Sequence, residues 1–68
     1  MITDDQEYNV ALERIGWFQR QIVQLRLGES NPTNYRAAAS GFLSEIDRMQ
    51  REVREYLSLH PSEVSHAA

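Results

Sequence analysis

The chain has 68 residues, 41% of them hydrophobic and 25% charged, which suffices for one small domain and is too short for a two-domain enzyme. It contains no cysteine, so neither a disulfide framework nor a thiolate zinc site supports the fold, and packing must do so. Ten acidic residues against seven arginines give a net charge of −3, which argues against the phosphate backbone of nucleic acid as the default partner.

No apolar run approaches the length of a membrane span. The start of the chain is acidic and lacks the basic and apolar regions of a signal peptide. We therefore expect a cytoplasmic protein that does not associate with membranes.

The first predicted helix covers residues 4–27. Thr3 and Gln6 have the spacing of a capping box, acidic side chains follow in the first turn, and Gly28 is expected to end the helix. Between these ends the apolar residues recur at alternating spacings of three and four, which keeps them on one helix face. This first stripe consists of Tyr8, Ala11, Ile15, Phe18, Ile22 and Leu25.

The second predicted helix covers residues 32–60. Asn31 is expected to be its N-cap, and Pro32 occupies the first helical position, where a missing N–H costs nothing. Pro61 should end the helix, and residues 61–68 are expected to form a flexible tail. The second stripe has the same alternating spacing and consists of Tyr35, Ala39, Phe42, Ile46, Met49, Val53 and Tyr56.

Two long helices joined by a short loop must fold back on each other. The sequence therefore predicts an all-α protein, an antiparallel helical hairpin over residues 1–60. With the turn near residue 30, large residues face each other or face small ones, as interdigitated packing requires. The predicted facing pairs are Ile15 with Ile46, Phe18 with Phe42, Ala11 with Met49, and Ile22 with Ala38 or Ala39.

Several large apolar residues lie beside the two stripes, where one seam between two helices cannot cover them. Because a chain this small rarely builds a sufficient core alone, we expect two copies to form a four-helix bundle, and we expect a further protein to bind the remaining surface. The predicted interface residues are Val10, Leu12, Trp17, Val23, Leu43 and Leu57.

The sequence offers no pattern for catalysis. His60 and His66 are the only imidazoles and have no carboxylate at a ligand spacing, so we expect no metal site. Nucleophile motifs and phosphate-binding loops are absent from the sequence, and a two-helix chain offers little concave volume for a substrate. We expect neither a catalytic residue nor a cofactor, and an enzyme ranks last among the alternatives.

Three arginines of the second helix, Arg48, Arg51 and Arg54, form a local cluster and are candidate polar contacts to a partner. Acidic residues alternate with them, which is typical of a solvated helix face. The alternative function is a nucleic-acid-associated accessory protein that acts through this cluster.

Four segments resemble a known helical module: residues 2–8 (ITDDQEY), the Asn31-Pro32 pair, residues 42–46 (FLSEI) and residues 52–56 (EVREY). Together they resemble the hairpin that precedes the DNA-binding domain in small bacterial antitoxin-type helix-turn-helix regulators. The likeness spans residues 2–59 and includes no helix-turn-helix, so it does not imply DNA binding. It implies a bacterial module that contacts proteins, either by self-association or by masking a partner such as a toxin.

Overall fold

The computed structural model describes residues 1–66, with side chains described through residue 63. It contains helix α1 (Asp5–Gly28), helix α2 (Pro32–Leu57) and a short helix α3 (Pro61–His66). The first two pack side by side in opposite directions, which confirms the predicted all-α hairpin. No helix in the described part of the chain has the length and apolar character needed to cross a membrane.

The start of α1 differs by one residue from the prediction. Asp4, in an extended conformation, is the N-cap, and its Oδ1 accepts a hydrogen bond from the Glu7 N–H at 2.7 Å. The Glu7 carboxylate in turn accepts from the Thr3 N–H at 2.8 Å and from the Thr3 hydroxyl at 3.0 Å. The capping box therefore joins Asp4 to Glu7 rather than Thr3 to Gln6. The side chain of Ile2, buried at the open end of the hairpin, anchors the segment that leads into this cap.

Residues 29–31 form the loop between the long helices. Gly28 ends α1 as predicted, and its φ is negative, so the helix does not end in a left-handed glycine cap. Instead, the Glu29 N–H donates to the Leu25 carbonyl at 2.8 Å. The predicted cap of α2 is confirmed, since Asn31 Oδ1 accepts from two N–H groups of the first turn at 2.9 and 3.2 Å.

The C-terminal part differs most from the prediction. Helix α2 ends at Leu57 rather than at residue 60, because the Ser58 hydroxyl donates to the Glu55 carbonyl at 2.6 Å and the residue before Pro61 is disfavoured in helical conformation. Pro61 begins α3, so residues 61–66 are helical where a tail was expected. Residues 67–68 of the predicted tail lie outside the described residues.

The core is a single seam along the hairpin. Ile15, Ile46 and Met49 form its buried centre, with Phe18, Ile22 and Val53 packed against it. The rings of Phe18 and Phe42 are 5.7 Å apart, which confirms that facing pair. Among the described residues no large side chain is fully buried, so the seam is thin. The buried apolar residues are Ile2, Ala11, Ile15, Ala39, Ile46 and Met49.

Candidate interaction surfaces

All six predicted interface residues are exposed on the hairpin. Their exposed fractions lie between 43% for Leu12 and 61% for Leu57. The seam between α1 and α2 therefore leaves each of them largely in water. Their place in an interface stays a prediction, and their arrangement on the hairpin determines what they can contact.

Four of the six lie on one side of the hairpin. Each follows directly after a stripe residue in the sequence, so it is rotated from the seam by one residue step in the same sense. The two helices run in opposite directions, and they also turn opposite sides toward the seam. These two reversals cancel, so residues one step after a stripe residue lie on the same side of the hairpin in both helices. We call this side the leucine face; it consists of Leu12, Val23, Leu43 and Leu57.

The other two lie on the opposite side. Val10 and Trp17 each precede a stripe residue, and we call this pair the tryptophan face. The Trp17 indole is edge-on to Phe18 at 5.1 Å and to Phe42 at 6.5 Å between ring centroids. These contacts hold the ring in place while 48% of the residue stays exposed. A fixed, half-exposed indole is the kind of side chain that anchors protein interfaces.

A groove of about 450 Å³ lies beside Val10 at the open end of the hairpin. Its apolar floor includes the buried residues Ile2, Ala11 and Met49. Its rim carries both signs of charge, from Asp4, Glu7, Arg14, Arg48 and Glu52. An open groove with an apolar floor and a charged rim suits a side chain of another protein.

Ion pairs occupy the same side as this groove. The Arg48 guanidinium is 2.7 Å from Glu45 and 3.4 Å from Glu52, and the N-terminal amine is 3.6 Å from Glu52. The hydrogen bond to Glu45, together with the negative charges of both carboxylates, raises the pKa of Arg48 above its usual value. The charge of Arg48 is therefore paired within the chain, whereas Arg51 and Arg54 are exposed and have no ion-pair partner in the described part of the chain. The contact of these three arginines with a partner stays a prediction.

His60, the histidine whose side chain the structure describes, lies in the turn before α3. The His60 Nδ1 and the Ser62 hydroxyl are 2.9 Å apart, and the same nitrogen accepts from the Ser62 N–H at 3.2 Å. These contacts, with a 2.8 Å bond from the His60 N–H to Glu63, form the start of a helix on an exposed surface. No cluster of three metal-ligating residues exists within residues described here, and the side chain of His66 lies outside them.

Comparisons with protein-family models, curated proteins and solved structures found no match for this chain.

The sequence analysis did not predict the contacts of Tyr56 at the open end of the hairpin. The Tyr56 hydroxyl donates a hydrogen bond to Asp5, and the rings of Tyr56 and Tyr8 stack at 5.7 Å. The bond to Asp5, with some desolvation and the nearby negative charge, raises the pKa of Tyr56 to about 12. Both tyrosines were correctly placed in the stripes. Continuing the facing register to the helix ends would have brought Asp5 to Tyr56.

Proposed function

We propose that this protein is a small protein–protein interaction module, which self-associates through part of its exposed apolar surface and binds or masks a different protein through the rest. The observation that carries the proposal is the exposure of six large apolar residues on two opposite sides of the hairpin. A protein that acted alone would have to keep both sides in water.

The thin core supports self-association. The seam buries only six apolar residues in the described part of the chain, four of them larger than alanine. Domains of this size bury a smaller fraction of their surface than larger domains do, and many of them add disulfides, a structural metal or oligomerisation to a small core. This chain has no cysteine, and its described residues contain no group of three metal-ligating side chains, so a core shared with a second copy is the support that we favour.

The tryptophan face supports a second, different partner. It combines a fixed indole with a groove whose floor is apolar and whose rim offers three carboxylates and two guanidinium groups. Interfaces between different proteins concentrate binding energy in such aromatic anchors, and charged rims select the partner. The resemblance to the antitoxin hairpin adds a class of partner, a toxin that the module masks.

The first test is the absolute mass in solution, measured by light scattering across a dilution series with circular dichroism on the same samples. We expect a mass of about 16 kDa, twice the 7.9 kDa of one chain, and a loss of helicity as the dimer dissociates. A fully helical species of 7.9 kDa at every concentration would overturn self-association.

The alternative function is tested on the same protein. Binding to phosphate backbones weakens steeply with salt and with the loss of each basic contact. If nucleic acid bound tightly, lost affinity with salt and lost it further when Arg51 and Arg54 were changed to glutamine, the interaction-module proposal would fail. We expect no such binding, because Arg48 is held by two carboxylates and the chain is acidic.

A further inference from the structure

On the side of the leucine face, two exposed lines of residues border the seam and carry charges only at their ends, whereas Asp47 and Arg54 lie on this side farther from the seam. Along each helix, residues seven apart lie on the same line. The middle of both lines is leucine or glutamine, which fits the depletion of charge at the centre of an interface. The line on α1 is Asp5, Leu12, Gln19 and Arg26, and the line on α2 is Arg36, Leu43, Gln50 and Leu57.

The opposite side is built differently. The positions that precede the stripe residues there include Glu7, Arg14, Glu45, Arg48 and Glu52, and every ion pair in the described part of the chain lies among them or at the N-terminal amine. Placing this side in the middle of a four-helix bundle would bury several charges, which is unfavourable because each ion loses its hydration. The leucine face is therefore the side that can enter a shared core.

The surface area of the hairpin fits one such interface. The chain exposes 5314 Å², whereas a compact monomer of its mass exposes about 4,400 Å². The excess of about 900 Å² is close to the ~800 Å² that each partner buries in a standard interface. The radius of gyration is 15.3 Å, against about 11 Å for a compact chain of this length. The elongated hairpin therefore exposes more surface than a compact chain does.

Two symmetric arrangements can stack two leucine faces. A two-fold axis along the helices places both loops at the same end and sets Arg26 against Arg36 of the second copy, since both arginines lie near the loop. A two-fold axis across the helices places the loops at opposite ends and sets Asp5 against Arg26 of the second copy. Neither Arg26 nor Arg36 has an ion-pair partner within the described part of the chain.

We propose that a second copy of this chain docks on the leucine face with its loop end against the open end of the first. Asp5 of each copy then faces Arg26 of the other, and Leu12 and Leu43 of both copies lie near the symmetry axis. The opposite charges of Asp5 and Arg26 favour this arrangement, and the like charges of Arg26 and Arg36 disfavour the other. The inference rests on the self-association in the proposed function and adds its face and its orientation.

The orientation is tested with one spin label in the loop. The chain has no cysteine, so a Ser30→Cys variant takes a single label at a site outside both faces. In the proposed dimer the two labels are separated by about one helix length, roughly 36 Å or more at 1.5 Å per residue. In the other arrangement they lie within about 20 Å, because neighbouring helices are 8–10 Å apart.

The mass of the labelled protein distinguishes a wrong orientation from a failure of self-association. A dimer with the short distance would overturn the orientation and leave self-association standing. A monomeric mass at every concentration would overturn both. A dimer with the long distance supports the inference.

A charge reversal checks the end contact independently. Arg26→Glu should raise the dimer dissociation constant by on the order of tenfold, because two symmetry-related attractions become repulsions. The matched control is Arg51→Glu, at an exposed position on the outer surface of α2, which should leave the constant within twofold. Equal effects of the two variants would contradict the proposed contact between Asp5 and Arg26.

Discussion

The phenol of Tyr56 donates a hydrogen bond to the carboxylate of Asp5, a residue 51 positions earlier in the chain. The bond joins the beginning of α1 to the last turn of α2 and closes the open end of the hairpin. The loop closes the other end covalently. The seam between the two helices is therefore held at both of its ends.

This bond predicts a loss of stability at alkaline pH. The pKa of Tyr56 is about 12 in the folded protein, above the value of 10.0 for a free tyrosine. Because the folded state prefers the protonated phenol, the contribution of the bond is complete below pH 10 and is lost as the pH rises from 10 to 12. The free energy of unfolding in urea, measured at several pH values, should fall over this window.

The titration of Tyr56 gives the control. Followed by ultraviolet absorbance in the folded protein, it should appear as a step with a pKa of about 12. Asp5→Ala should lower the pKa of this step toward 10, because it removes the acceptor of the hydrogen bond. If no such step appeared above pH 10 in the folded protein, the bond would not persist in solution.

The two faces predict different responses to the same substitution. Leu43 and Val10 are exposed to a similar degree, 49% and 45%. Leu43→Glu places two carboxylates near the centre of the proposed dimer and should raise its dissociation constant at least tenfold, since an unpaired buried charge costs more than 1.4 kcal/mol. Val10→Glu should leave the constant unchanged, as measured by light scattering on dilution.

The single tryptophan reports on the same distinction. Because Trp17 lies on the other face, its half-exposed indole should stay accessible to acrylamide quenching at concentrations where the protein is a dimer. Quenching should fall when a partner protein covers the tryptophan face. Strong protection of the indole in the dimer alone, with a dimer that survives Leu43→Glu, would place the tryptophan face in the dimer instead.

The seam was predictable from the sequence because its signal is periodic and long. Alternating spacings of three and four place residues such as Ile15, Phe18 and Ile46 on one side of a helix regardless of context. The cap at Asn31 was equally predictable, since the residue type and the following proline both favour it.

Details at the helix ends were not predictable, because neighbouring residues offer equivalent chemistry. Thr3 and Asp4 are both good N-caps, and the choice depends on how the buried Ile2 side chain anchors the chain start. The end of α2 depends on local bonds of Ser58 that compete with the helix. The six exposed residues were identified correctly. Their division into two faces follows from their positions beside the stripe residues and from the antiparallel direction of the helices, both of which the sequence predicted.

The cap at Asn31 predicts a measurable stability effect. Its Oδ1 accepts hydrogen bonds from the N–H groups of Thr33 and Asn34 at the start of α2. Asn31→Ala leaves both donors without this partner and should lower the free energy of unfolding by about 1 kcal/mol, within a range of roughly 0.5–2 kcal/mol. Asn31→Asp is the matched control, because aspartate caps helices as well as asparagine does. Equal losses in the two variants would show that the amide oxygen does not act as a cap.

Gly41, in the interior of α2, predicts a stabilising substitution. A methyl group added there would meet no atom within 4 Å, and the backbone φ is negative. Gly41→Ala should therefore raise the free energy of unfolding by about 0.8–1.0 kcal/mol, because alanine loses less conformational entropy in a helix. Gly28→Ala is the control: it has equal space but lies at the helix end, where the gain should be smaller.

Gly41 lies on the side of Trp17, so the dimer dissociation constant should not rise in Gly41→Ala. A rise in that constant would mean that the small residue at position 41 accommodates a side chain of the second copy, which would contradict docking through the leucine face.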